Sequence, residues 1–127
     1  MIRGAVYQVD LGNARGHEQR GKRLGVAVSP TNMPWSVATV VPTSTSARAS
    51  MFRPSLDILG ENTRVLCDQI RTIDIDFLGE EPVDYLTRDQ IADVDYALAR
   101  YLGLVPDHPD DVVASADEGD SSTTDVG

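Results

Sequence analysis

The chain has 127 residues, 41% of them hydrophobic, and a formal net charge of -9. That length holds one domain with a single core and is short for two. No apolar run reaches the roughly 18 residues that a membrane span needs, and the lone Cys67 excludes an internal disulfide and a multi-cysteine zinc site.

MIRGAVYQVD at the start reads without a signal peptide. With His17 and His108 far apart in the chain, the expectation is a reduced, cytoplasmic protein with no metal and no other cofactor. The net charge is segregated. Residues 1–71 carry nine Lys and Arg against five Asp and Glu, residues 72–105 two against eight, and residues 106–127 none against seven. A basic first half in an acidic protein is compatible with a surface for a polyanion.

In chain order, residues 5–11 (AVYQVDL) alternate in their latter part and predict a half-buried strand. Residues 12–22 are polar and glycine-rich, a long loop that includes most of the dense cluster GHEQRGKR at 16–23. Residues 24–29 predict a second strand and residues 35–41 (WSVATVV) a third, closed by Pro42. The hydroxyl-rich stretch 43–50 (TSTSARAS) predicts a loop. Residues 56–59 and 64–71 predict a fourth and a fifth strand, with Gly60, Glu61 and Asn62 as the turn between them. Five short strands at this spacing fit a small barrel or a strongly bent sheet.

The period then changes. Thr87 and Gln90 form a capping-box signature, and Ile91, Val94, Leu98, Tyr101 and Leu102 fall on one face of a helix that Gly103 ends. Residues 1–105 therefore read as the domain, and residues 106–127 as an acidic disordered tail.

Three segments concentrate groups able to act on an anion: 16–23, 43–48 and 67–74. Each member also has a structural reading. His17 can hydrogen-bond within its loop, and Arg15, Arg20, Lys22 and Arg23 can be a solvated loop. Asp68 and Arg71, on one predicted strand, can form an ion pair. The run Thr43, Ser44, Thr45 and Ser46 can be loop solvation, Met33 and Trp35 can be core, and Cys67 fits a small buried residue.

Taken together, RGAVYQVDLG, GHEQRGKR, VVPTSTS, VLCDQIRTID and a terminal helix ending YLGL resemble the MazF/PemK family of toxin ribonucleases over residues 2–105. The resemblance implies a mainly β (α+β) fold: a small SH3-like barrel with a C-terminal helix and a short additional helix. It implies a homodimer that a cognate antitoxin inhibits. It also implies metal-independent, sequence-specific cleavage of single-stranded RNA, with mRNA, tRNA and rRNA all open as targets. RNA brings its own nucleophile, the 2′-hydroxyl, and the expected ends are a 2′,3′-cyclic phosphate and a 5′-hydroxyl.

The family's principal catalytic arginine matches Arg23, and its hydroxyl two residues after the strand-ending proline matches Ser44, where threonine is usual. His17 and Asp68 match positions that the PemK-like branch uses near the scissile phosphate. This chain departs from the pattern at Leu24, where proline is usual, and at Leu66, where that branch has arginine. The expected RNA contacts are Arg15, Arg20, Lys22, Thr43, Thr45, Arg48 and Arg53, with Trp35 and Phe52 as apolar or stacking surfaces for bases and Met33 and Met51 as further apolar surface. Two other readings compete: a toxin of the same fold that poisons gyrase by protein contact, and a non-catalytic RNA-binding barrel.

Overall fold

A computed structural model of the chain describes residues 1–12, 21–31 and 36–105. Among them are seven strands: β1 (Ala5–Asp10), β2 (Lys22–Ala27), β3 (Val37–Ser44), β4 (Ser55–Ile58), β5 (Glu61–Val65), β6 (Arg71–Asp74) and β7 (Asp84–Tyr85). One helix follows, α1 (Arg88–Tyr101). The strands run β4-β5-β3-β2-β1-β7, all antiparallel, with β6 also paired to β3. Past β6 the chain swings back to β1, where Leu78 bridges to Val9, so the sheet nearly closes into a barrel.

The central strands are buried on both faces, which is why VATVV and GVAV read as near-continuous apolar runs. Ala5, Tyr7, Val9, Leu11, Ala27, Val40 and Ile73 form one cluster, inside the curl of β1, β2, β3 and β6. The alternate residues Val6, Val26 and Val41 face the other way. There they meet Leu56 and Ile58 of β4, Val65 of β5, and Val94, Ala97 and Leu98 of α1. The helix thus seals a second core on the outside of the barrel. Its start matches the sequence signal: Thr87 and Gln90 exchange both capping-box hydrogen bonds.

Several boundaries differ from the sequence expectation. β3 does not stop at Pro42 but runs through it to Ser44. A residue's N–H and C=O point to the same edge of an antiparallel strand. The Pro42 carbonyl accepts the Leu66 N–H at 2.9 Å, at the point where that edge of β3 passes from β6 to β5. The missing N–H therefore falls in a break, and no ladder bond is lost.

The predicted fifth strand, 64–71, is three elements: the end of β5, a 3-10 turn at Cys67–Gln69, and the start of β6. The short additional helix takes the form of this turn and a second one at Ile75–Phe77. The turn expected at Gly60, Glu61 and Asn62 sits one residue earlier, because Ile58 pairs with Glu61 and leaves Leu59 and Gly60 as a two-residue loop.

Both loop residues have positive φ, 53° at Leu59 and 80° at Gly60, the combination that two-residue hairpins favour. Leucine is strained there and its side chain is 57% exposed. Leu59→Asn should relieve about 1 kcal/mol. The expected result is a thermal midpoint a few degrees higher, read by circular dichroism; a fall would contradict the strain.

Candidate functional site

The neck of the first loop is fixed by backbone. Leu11 N–H donates to the Gly21 carbonyl at 2.9 Å, and Gly21 N–H to the Gly12 carbonyl at 2.8 Å. Gly12 and Gly21 both have positive φ (66° and 78°), which lets the chain turn out of β1 and back into β2. An Asp10 carboxylate oxygen accepts the Gly12 N–H at 2.9 Å. The expected site residues Arg15, His17, Arg20 and Trp35, with Met33, lie outside the described residues.

The neck delivers Lys22 and Arg23 to the start of β2. Lys22 is exposed and Arg23 half-buried, paired with Val9 of β1. On the other side, Gly25 pairs with Pro42 of β3. Carried two residues further, that register sets Arg23 opposite Ser44, and directly opposed residues share a face. At these strand ends the Thr43 hydroxyl also donates to the Leu24 carbonyl at 2.9 Å.

Ser44 is only 8% exposed. Its Oγ accepts the backbone N–H groups of Ser46 (3.2 Å) and Ala47 (3.0 Å). A hydroxyl whose lone pairs are both engaged keeps its proton to donate. Ser46 Oγ lies 3.4 Å away, within reach of that proton, so Ser44 is set up as a donor at the end of the strand. The following loop carries Thr45 and Arg48 into solvent and is anchored by Arg64, whose Nε donates to the Ala47 carbonyl at 3.1 Å.

Asp68 is on the 3-10 turn rather than on a strand, and its ion-pair partner is Arg53 rather than Arg71. The pair is bidentate: Arg53 Nε reaches Oδ1 at 3.0 Å and Nη2 reaches Oδ2 at 2.8 Å. This hydrogen bonding holds the Asp68 carboxyl below the usual aspartate range against the opposing effect of burial, and raises the Arg53 guanidinium. Asp68 is thus ionised and braces Arg53. Arg71 opens β6 opposite Val40.

Phe52 is half-buried with its ring edge-to-face against Tyr101 of α1, centroids 5.3 Å apart. Leu66, where the resemblance calls for arginine, is fully buried, and apolar character suits that place. Cys67 is a core thiol: burial, then the Asp68 and Asp95 charges, push it up to about 12.

An open cleft of about 560 Å³ lies beside Arg23, lined by 8–10 of β1, 22–24 of β2 and 76–79 after β6. A second hollow of about 320 Å³ adjoins it, lined by 10–12, 71–74 and Phe77. Asp10 and Phe77 border both. Sequence reasoning did not bring Asp76 and Phe77 to this cleft, because residues 75–79 show neither strand nor helix periodicity, and it read Asp10 only as part of a strand. The available signal was an aromatic directly after two alternating aspartates, Asp74-Ile75-Asp76-Phe77, in a segment too short to be a helix. Among the described residues, no group of three or more His, Cys, Asp and Glu stands close enough to hold a metal ion. Nor is any helix among them long and apolar enough to cross a membrane.

Residues 2–102 match the family described as the PemK-like, MazF-like toxin of type II toxin-antitoxin systems. The chain belongs to this PemK/MazF toxin family. A candidate toxin of Mycobacterium tuberculosis is 64% identical over 105 residues, covering 82% of this chain and 99% of that protein. Endoribonuclease MazF9 of the same organism is 34% identical over 82% of this chain and 98% of its own. Endoribonuclease PemK of Escherichia coli is 40% identical over 62% of this chain and 65% of its own.

Among solved structures, MazF of Deinococcus radiodurans matches with TM-score 0.72 and 26% identity over 81% of this chain and 96% of its own. A mycobacterial endoribonuclease in complex with its cognate antitoxin matches with TM-score 0.69 and 26% identity, over 83% and 97%. The mainly β barrel with one C-terminal helix is therefore the PemK/MazF toxin architecture.

Two solution measurements follow from the Asp68 turn. The native Cys67 thiol should resist iodoacetamide at pH 8 and react once the protein is unfolded in urea; ready native alkylation would contradict its burial. Folding lowers the Asp68 pKa. Its contribution to stability is therefore complete above the ordinary aspartate value of about 3.9 and is lost as pH falls through the folded value. Asp68→Asn should lower the urea midpoint at pH 7 and flatten the loss of stability below about pH 4.

Proposed function

We propose that this chain is the toxin of a toxin-antitoxin pair and acts as a sequence-specific, metal-independent endoribonuclease on single-stranded RNA. The observation that carries the reading is Arg23 on the lip of an open cleft, on a strand whose register with β3, extended past Gly25 and Pro42, turns Ser44 to the same face.

The reaction needs charge more than a protein nucleophile. The RNA 2′-oxygen attacks phosphorus and loses its proton as the new P–O bond forms. The P–O5′ bond breaks, the 5′-oxygen takes up a proton, and a 2′,3′-cyclic phosphate and a 5′-hydroxyl remain. Arg23 is always cationic, and its forked donors suit the equatorial oxygens of a pentacovalent phosphate. Ser44, whose proton can turn from Ser46 to the phosphate, adds a second hydrogen bond to the same charge. His17, whose ordinary pKa lies near neutrality, serves as acid or base in the two proton transfers. Asp68 is a positioning residue: it holds the Arg53 guanidinium in a fixed plane for a flanking phosphate.

Arg15, Arg20, Lys22 and Arg48 draw the RNA backbone, Thr43 and Thr45 border the strand end, and Trp35 and Phe52 offer surfaces to bases. The proposed protein partners are a cognate antitoxin, as in the mycobacterial complex, and a second copy of the chain.

The test is to incubate the purified protein with mixed RNA in EDTA and map the cut ends. Sequence-selective cuts bearing 5′-hydroxyls are expected. Arg23→Ala should lose at least about 100-fold in rate. Ser44→Ala should lose less, and Ser44→Thr should keep most of the activity because the hydroxyl is retained. Undiminished cutting by Arg23→Ala would overturn the assignment.

A further inference from the structure

Phe77 has an unusual setting. It ends the second 3-10 turn, Ile75–Phe77, whose start is fixed by Asp74, which accepts the Asp76 N–H at 2.9 Å. Immediately after it, Leu78 bridges to Val9, and Gly79 donates to the Gln8 carbonyl at 2.7 Å. The backbone is thus clamped to β1 and capped on its other side. Even so, the Phe77 side chain is 53% exposed and borders both hollows of the site. An apolar ring on a flexible tip needs no explanation, since single exposed apolar residues are normal. A ring held open over a cleft by ordered backbone on both sides is a preformed surface.

We propose that Phe77 is the stacking platform for the base of the nucleotide whose phosphate lies on Arg23, and that Asp76 selects an amino-bearing base there. This rests on the ribonuclease reading, which supplies the nucleotide. The cleft holds the two chemistries that one nucleotide requires: Lys22 and Arg23 line one wall, and Phe77 with Asp76 the other. Its volume of about 560 Å³ falls within the range of about 300–1,000 Å³ typical of small-ligand pockets.

Stacking on a phenyl ring tolerates any base, because every base has a π-face. Discrimination has to come from the polar wall. A carboxylate only accepts hydrogen bonds. At the exocyclic position it therefore favours cytosine, adenine or guanine, which carry an amino group, over uracil, whose carbonyl there would face the carboxylate and whose own donor, N3–H, lies one ring position away. Asp10, on the same cleft, already spends one carboxylate oxygen on Gly12, so Asp76 is the better placed reader.

The experiment uses the full chain and two readouts. In the first, Phe77→Trp is titrated with 2′-O-methyl oligocytidylate and oligouridylate, which cannot be cut; Trp35 in the wild type gives the background. Quenching beyond that background, stronger for cytidylate and equalised when Asp76→Asn is added, is expected.

In the second, Phe77→Ala is compared with the wild type and with Phe77→Tyr on RNA that the wild type cuts. Phe77→Ala should raise KM by about 5- to 100-fold and flatten the base preference at one position beside the cut, while Phe77→Tyr keeps both. Quenching by a protein that cuts no RNA would support the platform while sinking the ribonuclease reading. Cutting without quenching, or wild-type KM and preference in Phe77→Ala, would overturn the platform alone. A change in sedimentation for Phe77→Ala with unchanged RNA binding would mark Phe77 as a contact between copies and also overturn it.

Discussion

Strand β3 is the member on which the rest of the structure leans. It gives Ala38 and Val40 to one face and Val41 to the other, so both apolar clusters are built against the same few residues. One of its edges pairs with β2, and the other is shared by β6 and β5 in turn. Because the side-chain period of a strand is two, a slip of one residue would exchange the two cores. Such an error would expose neither face to water but would put every side chain in a space shaped for another. The double burial therefore fixes the β2–β3 register more firmly than a half-buried sheet could. That register, extended past Gly25 and Pro42, is what turns Arg23 and Ser44 to one face.

The electrostatics follow from how the chain is laid on this frame. The cations of the first 71 residues are not pooled in one undifferentiated patch. Arg53 is bound in a bidentate pair with Asp68, Arg64 is spent on the carbonyl of Ala47, and Arg3 is tied to Asp95 of α1 at 2.7 Å. The acidic residues 74, 76, 80, 81 and 84 follow one another along the segment that returns beside β1. The cleft at Arg23 therefore has one basic wall and one acidic wall, a polarity that the net charge of -9 conceals.

The sequence made the helix, its capping box, the first two strands and the buried character of Cys67 legible, because each rests on local signals. Thr87 and Gln90 lie within one turn of each other, and alternation in AVYQVDL is a property of neighbours. The errors fell where a distant partner decides. Pro42 reads as a strand end to anyone who cannot see that its lost N–H coincides with the handover between β6 and β5. Residues 64–71 read as one strand because nothing local announces that the neighbour of β3 must step aside at Cys67. The site shows the same division. Arg23 and Ser44 are candidates through motif order, whereas the partnership of Arg53 with Asp68 spans 15 residues and depends on the β4–β5 hairpin. Phe77 carried no periodic signal at all.

The neck at Gly12 and Gly21 has a consequence for how such a protein can vary. Its two backbone hydrogen bonds close the loop before the loop begins, so the barrel already holds both ends in place. Doubling the length of a flexible loop with fixed ends costs only about 0.6 kcal/mol. The length of chain between Gly12 and Gly21 can therefore change while Arg23, two residues past the neck, keeps its place in β2.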